Sequence, residues 1–195
     1  MSITCSVETL LLTDTTSDES INKDSIDSDY LGTVLMISIT EAKILFQKGN
    51  LEEATNLFKE IYKHNDLLPT LNYSLALISL GNNDLESAQV HIKKEMEITY
   101  NSIKVKTLRY IIHKKLGTSS SWEAIHFNII KKSNPNTYKL FDSALLLKQY
   151  DLIKESNDMF NYAKQLNASL FKELVEKNNL NTLTSISSED NSTLV

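Results

Sequence analysis

Glycine and proline are scarce in this chain, at four and two of 195 residues. So little turn material argues against β-sandwiches and barrels, and the fold class expected is all-α. Cysteine is rarer still. Cys5 alone excludes an intrachain disulfide and fits a reducing compartment, so a cytoplasmic location is expected. No run approaches the ~20 apolar residues of a membrane span, and the N-terminus has neither the basic nor the apolar block of a signal peptide. No membrane span is expected. Catalytic patterns are missing as well. His64, His91, His113 and His126 stand in no metal-ligand spacing, and there is no glycine-rich phosphate loop and no GxSxG elbow. The sequence therefore assigns no catalytic residue, no metal and no cofactor, and an enzyme is not expected.

What the chain does contain is a repeat. Small residues recur in pairs twelve positions apart, Ala42 with Ala54, Ala76 with Ala88 and Ala144 with Ser156, while Ala124 has Ile112 as its partner. The second members step by 34, 36 and 32 residues, the period of a stacked helical hairpin. Small side chains at these places let two helices approach closely, so Ala42, Ala54, Ala76, Ala88, Ala124, Ala144 and Ser156 are read as repeat-packing residues.

Helical periodicity fills the intervals. Leu51, Ala54, Leu57, Phe58, Ile61 and Tyr62 draw one stripe, with Glu52, Glu53, Asn56, Lys59 and Glu60 on the other face. Helices are expected near 33–47, 51–64, 69–80, 84–98, 102–116, 121–132, 136–148 and 150–166. A ninth, amphipathic helix near 168–178 is read as a cap for the last hairpin. Gly49, Gly81 and Gly117 follow apolar runs and are expected as left-handed helix ends, while Pro69 and Pro135 precede new runs. Residues 1–30 are expected to be a disordered acidic tail, since seven acids face Lys23 alone up to residue 29. The helical domain is placed at 31–178 and a second disordered tail at 179–195.

The best of these units, residues 40–61, resembles the tetratricopeptide repeat family. Ala42, Gly49, Ala54 and Phe58 stand at its small, turn, small and aromatic positions. Residues 72–92 keep Ala76 and Ala88; the third unit is degenerate, with Asn128 at the aromatic place; the fourth keeps Ala144, Ser156 and Phe160 but has Gln149 for the turn glycine. The resemblance covers roughly 130 residues in about four degenerate repeats. It implies a right-handed α-solenoid of antiparallel helix pairs, noncatalytic, whose inner helices line a concave groove for a peptide or helix of a partner protein. Transferring the groove-facing phase of the best unit implies a lining of Lys43, Gln47, Thr70, Tyr73, Lys106, Arg109, His113, Tyr138 and Lys148.

Charge points the same way. The segment from Lys93 to Lys139 carries a net +7, and the rest of the chain a net −12. A basic third hairpin in an acidic chain fits an acidic partner segment, or the chain's own acidic tail folded back as a self-inhibitor. The resemblance also admits a secretion-type chaperone holding an apolar client. Nucleic acid is a weaker reading, because the overall balance is acidic and no recognition module accompanies the cations. A homo-oligomer stays open.

Overall fold

The computed structural model describes residues 23–178 and residue 180, with the backbone alone described at 23–30 and 123–125. Every regular element among the described residues is helical. They are α1 (Lys23–Gln47), α2 (Leu51–His64), α3 (Leu71–Gly81), α4 (Leu85–Ile98) and α5 (Ile103–Lys115). Next comes α6, formed by a π-helical stretch Trp122–Phe127 continuing as α-helix Asn128–Lys132, then α7 (Thr137–Gln149), α8 (Ile153–Leu166) and α9 (Ala168–Lys177). No helix among the described residues is long and apolar enough to cross a membrane.

Local chemistry accounts for these limits. In α2, Glu52 and Glu53 lie in the first turn and Lys63 and His64 in the last, each sign where the helix dipole favours it. Four helices start on a side-chain cap: Asp84, Ser102, Asn136 and Asn167 accept from the backbone N–H of Ser87, Val105, Lys139 and Leu170. Eight of the nine helices begin and end within three residues of the expected bounds. The exception is α1, which begins at Lys23 rather than near residue 33. Extending an existing helix costs little once its nucleus is fixed by packing, and Leu31, Val34, Leu35, Ile39 and Ala42 supply that packing.

The four bends inside hairpins share one construction. Gly49, Asn83, Gly117 and Asp151 all have positive φ, at 83°, 59°, 69° and 61°, and they recur every 34 residues. At each, the left-handed residue donates to the carbonyl three positions back and the next residue donates five back. The pairs are Gly49 to Phe46 and Asn50 to Leu45, and Asn83 to Leu80 and Asp84 to Ser79. Gly117 to Lys114 and Thr118 to His113, and Asp151 to Lys148 and Leu152 to Leu147, complete the set. This two-bond pattern is the Schellman motif, which satisfies the last carbonyls of a helix. The expectation for Gly81 is corrected here. Gly81 is the last residue of α3 and has no positive φ, and the left-handed place falls to Asn83, a residue type that tolerates it.

Residue contacts divide the chain into two units, Met1–Thr99 and Tyr100–Val195. In the first, α1 packs on α2, α2 on α3 and α3 on α4. Leu35, Ile39, Ala42, Ala54, Phe58, Ile61, Leu71 and Leu75 form a continuous core there. Full burial of a side chain such as Phe58 or Ile61 contributes about 1.5–3 kcal/mol. Ala76 and Ala88 are also fully buried, on α3 and α4.

In the second unit α7 packs on α8, and α5 rests on α7 more extensively than on α6, its neighbour in sequence. Phe171 of α9 meets both Phe141 and Phe160 edge to face, with ring centroids 5.7 and 6.1 Å away, so α9 covers the last hairpin. Ala144 and Ser156 are buried between α7 and α8. The degenerate third unit has its own solution. In a π-helix, residues five apart stand one above the other, and Trp122 stacks on Phe127 at 5.6 Å. Trp122 also leans on Tyr110 at 4.8 Å and donates its indole N–H to Asp158 across 3.1 Å. Ala124 lies in this π stretch, and its side chain is outside the described residues, as are residues 1–22 and most of 179–195, where the two tails were expected.

Candidate partner-binding surface

Each unit contributes part of the implied groove lining. In the first, Lys43, Thr70 and Tyr73 come together at the start of α3. Thr70 precedes α3 with a φ of 72°, which turns its hydroxyl away from the capping position, and that hydroxyl accepts from Lys43 Nζ at 2.6 Å. The cap is supplied instead by Glu95 of α4, which is 0% exposed. Its carboxylate accepts from the backbone N–H of Thr70 at 2.9 Å and of Tyr73 at 3.2 Å, and from the Thr99 hydroxyl at 3.0 Å. A buried charge is tolerable when hydrogen bonds and a helix N-terminus surround it in this way. Gln47, at the end of α1, is exposed.

In the second unit, Lys106, Arg109 and His113 share one face of α5 at spacings of three and four. Lys106 Nζ donates to Ser133 Oγ at 2.5 Å, tying α5 to the loop before α7. Arg109 Nε donates to His113 Nε2 at 3.5 Å, so the neutral ring carries its proton on Nδ1, 3.0 Å from Thr118 Oγ1. Burial lowers the Lys106 pKa. It also lowers that of His113, with the Arg109 charge adding to the effect. His126 is lowered by burial, then by Arg109 and His113. Lys106 and Arg109 are the cations of the stripe. Lys104, on the flank, is neutralised by Asp142 at 3.1 Å, whereas hydroxyls and an imidazole hold the stripe itself.

Tyr138 and Lys148 sit toward opposite ends of α7, the first 52% exposed and the second partly buried. Among the described residues no hydrogen bond joins either of them to the α5 stripe. The structure therefore assembles two local clusters from the nine residues and leaves Gln47, Tyr138 and Lys148 apart from them.

Two clefts escaped the sequence reading. One, of about 360 Å³, is bordered by Lys114, Ser119, Ser120, Ser121, Trp122 and Lys154. The other, of about 340 Å³, is bordered by Leu75, Ile78, Tyr62, Asp84 and His91 among others. His91 accompanies a buried network, since Asn72 donates to the Asp66 carbonyl at 2.7 Å and meets His91 Nδ1 through its oxygen at 3.1 Å. Lys94 bonds the Asp66 carboxylate and lies over the Tyr62 ring. Nothing in the spacing of the residues that line the two clefts marks them in the sequence. No group of three or more metal-ligating side chains occurs among the described residues. No family of known proteins has a model that matches the chain, and no curated protein is significantly similar to it.

Proposed function

We propose that this protein is a noncatalytic adaptor built on tetratricopeptide-like repeats in a right-handed solenoid, which holds an acidic peptide or helix of a partner protein against its inner helices. The repeat part of the reading is supported by the 34-residue recurrence of Schellman bends at Gly49, Asn83, Gly117 and Asp151, a spacing that belongs to this repeat class. The binding part rests on one observation: the cations Lys106 and Arg109 of α5 are held by Ser133 and His113 rather than by carboxylates. An acidic side chain of a partner would give these cations a charged acceptor in place of a neutral hydroxyl and imidazole, adding ion-pair attraction to the hydrogen bond. The cluster of Lys43, Thr70 and Tyr73 in the first unit supplies a cation, a hydroxyl and an aromatic ring for the same purpose.

The test is charge reversal. Lys106→Glu with Arg109→Glu should abolish copurification of the partner from native lysate, and raised salt should mimic it in the unchanged protein, with helical circular dichroism the same in both. Partner recovery that survives the double reversal would place recognition elsewhere.

A further inference from the structure

Leu68 to Leu71 form a turn closed by the Leu71 N–H on the Leu68 carbonyl at 3.2 Å, with Pro69 in its second place and Thr70 in its third. Thr70 has φ 72° and ψ −8°, values near those of the third residue of a type II turn, a place that glycine ordinarily fills. The other non-glycine residues of positive φ among those described are Asn83, Asn134 and Asp151, types that tolerate the left-handed region. Thr70 is β-branched and does not. An exposed threonine in a glycine place points to a use for its side chain.

That side chain is also released from its ordinary task. A threonine that precedes a helix accepts from the third helical N–H, and a glutamate at that third place returns a bond to the threonine N–H. Ser102 and Asn136, which precede α5 and α7, make the first of these bonds themselves, to Val105 and Lys139. At α3 both bonds go to Glu95 instead. One carboxylate oxygen takes the Thr70 N–H and the other takes the Tyr73 N–H, while the Thr99 hydroxyl anchors the first oxygen. Glu95 is fully buried, so a partner meets only the residues that it holds. The exposed Thr70 hydroxyl accepts from the half-buried Lys43, and a hydroxyl that accepts keeps one hydrogen to donate.

We propose, on the adaptor reading above, that Glu95 is a positioning residue for recognition. By capping α3 from α4 it keeps the Thr70 hydroxyl off its own helix and beside Lys43, where the pair offers an ammonium and a hydroxyl to one acidic side chain of the partner. Without that outside cap the hydroxyl returns to the Tyr73 N–H, its ordinary acceptor role, and the pair is dismantled.

The probe is a fluorescent glutamate homopeptide of about 20 residues, up to ~66 Å long when extended, titrated with the full chain at low salt. Thr70→Gly keeps both backbone N–H groups on Glu95, removes the hydroxyl and relieves the backbone. It should weaken peptide binding about tenfold without lowering the melting temperature. Glu95→Gln has one acceptor oxygen for two donors. It should weaken binding to a similar degree in the Thr70 protein and by less than about twofold in the Thr70→Gly protein, because it acts through a hydroxyl that is no longer there. A carboxylate that only maintained the fold would weaken binding equally in both backgrounds. If Glu95→Gln does not fold, Thr70→Gly alone decides. Equal losses in the two backgrounds, or full affinity in Thr70→Gly, would overturn the positioning role, and the adaptor reading would survive that result if Lys106→Glu with Arg109→Glu still abolished peptide binding. A peptide that fails to bind the unchanged chain would overturn the adaptor reading and the positioning role together.

Discussion

Ser156 Oγ donates a 2.8 Å hydrogen bond to the main-chain carbonyl of Ala144, twelve residues earlier on the paired helix. The two residues that the sequence pairs by spacing thus meet directly, across α7 and α8. Ser156→Ala keeps the small size and loses the bond, so it should cost about 1 kcal/mol in chemical denaturation. Ser156→Leu overfills the crossing and should cost about 1–3 kcal/mol. Ser143, one position before Ala144, is the opposite case: its buried hydroxyl has no hydrogen-bond partner. Ser143→Ala should be neutral or stabilising, and a loss above ~1 kcal/mol would show that the hydroxyl has a partner after all.

The bends make a second test. No neighbouring atom lies within 4 Å of a Cβ built at Gly49 or Gly81, so any effect of Ala there comes from the backbone. Gly49→Ala, at positive φ, should destabilise by about 1 kcal/mol, while Gly81→Ala, inside a helix, should stabilise by roughly 0.5–1 kcal/mol. Asp151→Gly relieves a left-handed non-glycine residue and should raise the melting temperature. Equal effects of the two alanines would contradict the assignment of the left-handed place to Asn83.

These positions also show what was legible beforehand. Gly49 and Gly117 were read correctly as left-handed because glycine is the residue that betrays such a place. Asn83 and Asp151 were missed because they adopt the same conformation without advertising it, and the expected glycine spacing was irregular as a result. The structure restores the even period. The π stretch of α6 was illegible for a different reason. Trp122 and Phe127 are five apart, a spacing that neither a helical nor a strand pattern rewards.

Acidification supplies a third test. His91, His113 and His126 all have pKa values lowered from 6.5, each mainly by burial. The unfolded chain therefore binds protons that the folded chain refuses, so stability is full above about 6.5 and is lost as pH falls from there through the folded-state values. The melting temperature should drop between pH 7.5 and 5.5, and His126→Gln should flatten that dependence. Glu60 and Asp84, held below 4.5 and 3.8 by hydrogen bonds from Lys63 and Ser87, act only at lower pH. A melting temperature constant from pH 7.5 to 5.5 would refute the histidine account.

The candidate site was less readable than the fold. Lys43 with Thr70, and Lys106 with Arg109 and His113, were placed by helical phase, which survives in any regular helix. Glu95 was not singled out. Its role depends on reaching across from α4 to the start of α3, and a carboxylate on an amphipathic helix ordinarily reads as solvent-facing.

Site-specific photocrosslinking in native lysate tests the central claim most directly. A photoreactive residue at Tyr73 or Arg109 should capture the same protein partner, through an acidic segment, while the same group at Glu53 on the outer face of α2 captures nothing. Capture from Glu53, or no capture from the inner helices, would contradict a groove-binding adaptor.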